Sequence, residues 1–386
     1  MDYRSTPPAA ELATRLPRTL TEIDRTTTAG LQLGGQLYVS RGLEPIADLA
    51  FGEARPGESL DPGHLMLWLS ATKPVAAIAI ARLWENGLLD LDDRVAHHIP
   101  EFAAGGKEKV TIRHLLTHTG GLRMLNVGWP QEPTEAIVAK ICARKLEPRW
   151  VPGEKAGYHL TSSWFILAEL VRRLDGRAFQ SYVRDEIFEP LGMVDSWIGM
   201  PRERFEAYGQ RIAPTFNTEV DEPSSQGWES ELRVTRPSPG GNGRGPMSEL
   251  GRLYEALLNR GELDGFRLLS PQSVEALTTR QRVGLYDHTF KHMMDWGLGL
   301  IVNSLHYGVD TVPYGYGPHA SRRTFGHSGY RSTVAFADPE HSLVVALAVN
   351  GTPTDAAHAA RTGSLLGAIY EDLALAPTPV ASAASG

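Results

Sequence analysis

The stretch Ser70-Ala71-Thr72-Lys73-Pro74-Val75-Ala76-Ala77-Ile78-Ala79-Ile80-Ala81-Arg82-Leu83-Trp84 sets a serine and a lysine three residues apart at the mouth of an apolar run. On one helical turn that spacing puts hydroxyl and ammonium on the same face, within reach of each other. A serine hydroxyl is a weak nucleophile until a base takes its proton, and a lysine is such a base only where burial or another cation lowers its pKa. The run after Lys73 is apolar almost all round, the pattern of a helix inside a core, and predicts a Lys73 whose charge is costly. A helix N-terminus at Ser70 adds positive potential and free N–H groups suited to an oxyanion. The plainer alternative is a helix cap followed by a surface lysine, because Ser-x-x-Lys by itself is a short pattern.

Outward from that stretch, the chain of 386 residues is long enough for two domains or one large fold with an insertion, and its 42% apolar content is ordinary for a globular protein. The net charge is −7 and no Lys/Arg-rich run offers a phosphate-binding stripe, so nucleic acid is excluded as an expected partner. One cysteine, Cys142, allows no intrachain disulfide, no cysteine redox pair and no Cys/His metal cluster. No stretch reaches the roughly 18 apolar residues of a membrane span, and the first residues lack the basic-then-apolar pattern of a signal peptide. The expectation is a cytoplasmic protein with no membrane segment, no metal and no cofactor. The tail, residues 376–386, is low in complexity and expected to be disordered.

Helical spacing runs from about Ala9 to Thr28, and two strands, Leu31 to Ser40 and Pro45 to Glu53, flank the turn Arg41-Gly42. The helix from Pro74 ends at Asn86-Gly87, a left-handed cap. Helical signals then dominate: Thr111 to Thr117, Thr134 to Lys145, Ser162 to Leu174, Phe179 to Ile187, Ser248 to Arg260 and Pro271 to Thr279. Short β-rich runs return at Trp296 to Ser304, Arg323 to His327, Thr333 to Asp338 and Ser342 to Asn350, before a last helix from Asp355 to Leu373. Strands near both termini with helices between them predict an α/β (α+β) fold. Residues 1–75 and 290–375 would form a mixed domain with an antiparallel sheet flanked by helices, and 76–289 an inserted, mainly helical domain.

Six phrases stand in an order that resembles the serine β-lactamase and penicillin-binding-protein superfamily, in particular its class C branch with the DD-peptidases, family VIII esterases and acyltransferases. They are Ser70-Ala71-Thr72-Lys73, Val110-Thr111-Ile112-Arg113-His114-Leu115-Leu116-Thr117-His118-Thr119-Gly120-Gly121-Leu122, Pro152-Gly153 before Tyr158, Phe188-Glu189-Pro190-Leu191-Gly192-Met193, Trp296-Gly297-Leu298-Gly299 and Gly326-His327-Ser328-Gly329. The resemblance implies that Ser70 is acylated with Lys73 as its partner. Tyr158 stands where the family's Tyr-x-Asn begins, and as a phenolate beside Lys73 would take the serine proton and return it to the leaving group. His327-Ser328-Gly329 stands where class C enzymes carry Lys-Thr-Gly, and the backbone N–H groups of Ser70 and Tyr330 would form the oxyanion hole.

Two departures bear on substrate. Leu160 replaces the asparagine of Tyr-x-Asn, removing the amide that contacts the acylamino group of β-lactams, and His327 replaces a fixed positive charge with a side chain largely neutral near pH 7. Neutral esters and thioesters are therefore expected over anionic peptides. His114 and His118, spaced i, i+4, have the geometry of a zinc pair but no third ligand. The Gly-x-Gly-x-Gly of residues 239–245 follows no strand and opens no βαβ unit, so it reads as a loop bordering the cleft, leading to the helix at Ser248. Trp129, Trp150, Trp228 and the run Tyr286 to His288 fall in segments that face the cleft in this family; Trp129 and Trp228 are candidates for an acyl pocket, each equally readable as core.

The expected function is a serine hydrolase working through an acyl-enzyme on Ser70, first a carboxylesterase on small neutral esters. The alternatives are an acyltransferase passing the acyl group to an amine or alcohol in natural-product biosynthesis, an amidase of DD-peptidase or β-lactamase type, and a non-catalytic binder on the same fold.

Overall fold

The computed structural model describes residues 3–220, 222–308 and 315–376. The strands that position the site are Tyr3–Thr6 (β1), Gly34–Arg41 (β2), Glu44–Arg55 (β3), Glu58–Ser59 (β4) and Met66–Leu67 (β5) from the first part of the chain, and Arg244–Gly245 (β6) from its middle. Asp295–Trp296 (β7), Ile301–Val302 (β8), Phe325–Gly329 (β9), Thr333–Asp338 (β10) and Leu343–Val349 (β11) come from the last part. The helices used below are Pro17–Thr28 (α1), Lys73–Glu85 (α2), Thr134–Ala143 (α3), Ser162–Asp175 (α4), Met247–Leu258 (α5) and Asp355–Asp372 (α6).

Among the described residues the main sheet runs β1-β3-β2-β11-β10-β9-β8-β7, with β4 paired to the end of β3, and every neighbouring pair is antiparallel. Both ends of the chain meet in it where Val345 pairs with Val39 and Leu347 with Leu37. The β2–β3 hairpin closes through Gly42 and Leu43, both at positive φ, one residue later than the expected Arg41-Gly42 turn. Two consecutive left-handed residues give a turn whose twist matches that of the flanking strands.

The period of two along β11 sorts its side chains onto opposite faces. Val345, Leu347 and Val349 pack with Leu20 and Ile23 of α1 and Leu365 and Ile369 of α6. Val344, Ala346 and Ala348 face the other way, with Leu250, Leu253 and Tyr254 of α5. The alanines let α5 approach closely: a Cβ on Gly251 would lie 2.2 Å from Tyr38 Cδ1. Tyr38 also donates its phenolic O–H to Glu255 Oε1 at 2.7 Å.

α5 falls within the span expected to be mainly helical, yet it covers the sheet, because its small residues match the alanine face of β11. That span also holds short strand pairs such as Glu262–Leu263 with Phe266–Arg267. α2 is buried on nearly all sides from Lys73 to Leu83 and packs with α4 in a cluster shared with the sheet. Full burial of each large aliphatic side chain in such a helix is worth roughly 1.5–3 kcal/mol, so α2 is an anchored platform. The expectation for residues 376–386 lies outside the described residues, Ala376 apart.

Candidate active site

The α-helix begins at Lys73, one residue before the expected Pro74, and Ser70 lies not in its first turn but in a 3-10 turn just ahead of it, Leu69–Thr72. The turn is held from three sides. Thr72 Oγ1 donates to Leu69 O at 2.6 Å and accepts from Gly243 N at 2.9 Å, while Trp68 N donates to Gly243 O at 2.8 Å. β5 and β6 pair just upstream, Leu67 opposite Arg244. Leu69 sits at φ 49°, a conformation costly for a branched side chain, which this surrounding contact holds in place.

The glycine-rich loop earns its composition here. A Cβ on Gly243 would lie 2.6 Å from Thr72 Oγ1 and 2.7 Å from the Trp68 ring, and one on Gly240 would lie 2.6 Å from the Trp164 ring. Only bare backbone fits, and Gly240 O thereby reaches the lysine: Lys73 Nζ donates to it at 2.7 Å and to Ser70 Oγ at 2.9 Å. Lys73 is completely buried, and burial pushes its pKa well below that of an ordinary lysine. Among the described residues no carboxylate pairs with it; its neighbours are the Tyr158 ring at 5.0 Å and the Trp164 ring at 5.4 Å. A desolvated amine beside a serine hydroxyl is the arrangement that makes the amine a proton acceptor.

Tyr158 is buried at 3% exposure within an aromatic box: His118 at 4.6 Å, Phe290 at 4.7 Å, Trp296 at 5.7 Å and His327 at 6.1 Å between ring centroids. His118 Nδ1 accepts the N–H of His159 at 2.9 Å, which leaves the proton of the neutral ring on Nε2. His159 Nε2 accepts from Leu122 N at 3.3 Å, and its Nδ1 meets Ser163 Oγ. Burial holds both rings neutral, His118 well below the usual imidazole range and His159 at about 3. His114 plays a separate part, capping its helix with Thr111: its Nδ1 accepts from Thr111 N at 3.1 Å.

β9 lies flush against the nucleophile turn. A Cβ on Gly329 would sit 2.5 Å from Trp68 O and 3.0 Å from Leu69 Cβ, and Thr333 Oγ1 on β10 donates to Leu67 O at 3.0 Å. Ser328 pairs with Val334 and Gly329 with Thr333, so Tyr330 follows at the strand end beside the turn, its side chain 51% exposed. His327 is buried, and its Nδ1 stands 2.8 Å from Ser328 O, to which it donates. Burial and the nearby Lys73 lower its pKa to about 3. Its Nε2 is then a lone-pair acceptor with no hydrogen-bond partner among the described residues, as is the case for Ser328 Oγ.

Leu160 is 45% exposed, although Tyr158 and His159 on the same segment are sealed. Trp129 and Trp228 come together, stacked at 5.8 Å and 28°, with Trp129 Nε1 donating to Arg236 O at 3.2 Å. Their link to the nucleophile turn runs through β6, where Arg244 Nη2 donates to Trp228 O at 3.2 Å. Trp150 packs elsewhere, against Gly121 and Arg123, and donates to Thr119 O at 2.9 Å.

Sequence reasoning named the run Tyr286 to His288 as facing the cleft but missed the Gly240 carbonyl, the His118–His159 support and the grip of that loop on the backbone of Tyr158. For the last a local signal existed: Asp287 followed two residues on by Thr289 is an Asx-turn pattern, and Asp287 Oδ1 accepts from Thr289 N at 2.9 Å.

A serine, a buried lysine and a tyrosine brought together between an all-antiparallel sheet and a helical layer define the architecture of one protein class. The sequence pattern of the Beta-lactamase family matches residues 23–368, and the chain belongs to that family. It is 28% identical over 345 residues to Esterase/beta-lactamase LipL of Mycobacterium tuberculosis, covering 82% of this chain and 77% of the relative. To Esterase EstB of Burkholderia gladioli it is 26% identical over 331 residues, covering 76% and 80%. The fold is similar to that of a family VIII carboxylesterase, with a TM-score of 0.78 and 25% identity over 93% of this chain and 97% of that one. A penicillin-binding protein homolog from Caulobacter crescentus matches with a TM-score of 0.76 and 29% identity over 96% and 100%. Among the described residues no helix is long and apolar enough to cross a membrane.

Proposed function

We propose that the protein is a serine hydrolase that forms an acyl-enzyme on Ser70 and acts on small neutral esters. The observation that carries this reading is the buried Lys73 amine, 2.9 Å from Ser70 Oγ and flanked by the Tyr158 ring. Relatives named as esterases, and the likeness to a family VIII carboxylesterase, support it.

In the first half-reaction Ser70 Oγ attacks the acyl carbon while its proton passes to the neutral Lys73 amine, either directly or through Tyr158, whose phenol gives its own proton to Lys73 as it takes the serine's. The carbonyl oxygen takes up the negative charge and is met by the backbone N–H groups of Ser70 and Tyr330. Collapse expels the alkoxide, which recovers the proton as the free alcohol and leaves Ser70 acylated. Water then adds to the acyl carbon by the same route, and Ser70 is released with the carboxylic acid.

Neutral substrates follow from charge. His327 presents a lone pair where a carboxylate would need a cation, and Leu160 presents apolar surface where an acylamino group would need an amide. The test is p-nitrophenol release from acetate and butyrate esters by the wild type and by Ser70→Ala, with products identified by mass in the presence and absence of butylamine. Release as free acid, lost in Ser70→Ala together with fluorophosphonate labelling, is the expected result. Amide formation that accelerates release would make the protein a transferase, and labelling retained in Ser70→Ala would overturn the nucleophile.

A further inference from the structure

Beneath Tyr158 lies a buried ion pair that the chemistry above does not use. Arg282 Nη2 donates to Asp287 Oδ2 at 3.1 Å, with both residues sealed from solvent. The other oxygen, Oδ1, gathers three backbone donors: Tyr158 N at 3.1 Å, Thr289 N at 2.9 Å and Phe290 N at 3.0 Å. Thr289 Oγ1 returns a bond to Tyr158 O at 3.1 Å, so both backbone polar groups of the tyrosine are tied to one loop. His288 N adds a bond to Ala156 O at 2.9 Å, and the Phe290 ring packs against the phenol at 4.7 Å.

Arg282 extends the tie to the His118 and Trp296 walls of the aromatic box. Its Nη1 donates to Thr117 O at 3.1 Å, adjacent to His118, and its Nε and Nη2 donate to Met294 O at 3.3 and 3.1 Å, two residues before Trp296. One ion pair thus joins three of the four segments around the Tyr158 ring, all but β9 with His327. Burying such a pair rarely adds net stability over apolar packing, because desolvation offsets the attraction. What it does supply is fixed geometry, since a carboxylate with three N–H donors and an arginine has no alternative rotamer that keeps its partners.

We propose that Asp287 is a positioning residue for Tyr158, acting through its backbone to set where the phenol stands relative to Ser70 and Lys73. The inference rests on the reading of Tyr158 as the proton-transfer group. It assigns the loop of residues 286–290 a part in turnover through the backbone of Tyr158.

The experiment is a double-mutant cycle on p-nitrophenyl butyrate hydrolysis. Asp287→Asn and Thr289→Val are each made alone and with Tyr158→Phe, with folding followed by thermal unfolding. Thr289→Val removes one hydrogen bond without orphaning a buried charge and is expected to lower kcat about three- to tenfold with KM unchanged. Asp287→Asn is expected to lower kcat on the order of 10- to 100-fold, the scale set by misplacing a catalytic group by a fraction of an ångström to an ångström. In the Tyr158→Phe background each effect should shrink below about twofold, because there is no longer a phenol to place. Equal losses in both backgrounds, or a change confined to KM, would overturn the positioning role. Should Asp287→Asn fail to fold, Thr289→Val decides alone, since it leaves the ion pair intact. A Tyr158→Phe enzyme as fast as the wild type would instead remove the reading of Tyr158, a result separable from additivity.

Discussion

Lys73 Nζ donates to Ser70 Oγ at 2.9 Å with no carboxylate beside it among the described residues, so burial decides the charge of the amine. In most ion-paired lysines the partner holds the proton on; here the carbonyl of Gly240 accepts a hydrogen bond without stabilising a full charge to the same degree.

The rate of acylation should therefore depend on pH through a lysine titrating well below 10.5. The neutral amine prevails above the folded pKa and is lost as pH falls through it, so kcat/KM should be level through mildly alkaline pH and fall on the acid side. A rate still rising toward pH 10.5 would show an ordinary, solvated lysine. The same shift affects stability: the unfolded chain holds a proton that the folded chain rejects, so stability should rise with pH up to about 10.5.

The buried histidines predict acid sensitivity. His159, His327 and His358 each have a folded pKa of about 3 against 6.5 for an unperturbed imidazole, because burial penalises the cation. Between those values the unfolded chain binds protons that the native state excludes, so stability is lost as pH falls below 6.5, on the order of 1 kcal/mol per pH unit for each histidine. Urea midpoints at pH 7.5 and 5.5 check this; equal midpoints would mean that these rings are solvated or paired in solution.

Leu160→Asn should shift selectivity toward acylamino substrates. The side chain is 45% exposed, so an amide there costs little stability and offers one new hydrogen bond. Such a bond is worth about 0.5–1.5 kcal/mol, so the ratio of nitrocefin to p-nitrophenyl acetate turnover should rise by up to about tenfold. An unchanged ratio would remove position 160 from substrate recognition.

Trp129→Ala tests the stacked pair. A stacked aromatic contact contributes roughly 0.5–1.5 kcal/mol beyond its area, and Trp129 also bonds the carbonyl of Arg236. If the pair borders the acyl group, KM for the butyrate ester should rise about three- to tenfold more than for the acetate, with kcat preserved. Equal changes for the two esters would make the pair a structural clasp between loops.

Much of the architecture was legible because it rests on local pattern. The β-rich run Ser342 to Asn350 and the apolar run after Lys73 appear as read, since burial on all faces leaves its trace in neighbouring residues, whereas the stretch read as one helix from about Ala9 to Thr28 is two, Ala9–Arg15 and Pro17–Thr28, broken at Leu16 before the proline. The short connections were less legible. The 3-10 turn at Ser70 and the hairpin residues Gly42-Leu43 depend on which backbone packs against them, and that backbone lies far along the chain.

By itself the sequence determined the Ser70–Lys73 spacing, the β-rich runs that make the sheet and the absence of a cysteine pair, because each depends on residue identity at short separation. Only the tertiary structure decided that Gly240 and Gly243 close over the nucleophile turn, that His327 is a neutral acceptor, and that Asp287 grips the backbone of Tyr158. The reason is physical: a pKa is set by desolvation, and a side chain's position by contacts, and both are made by segments that meet only when the sheet from the two chain ends closes against the helices between them.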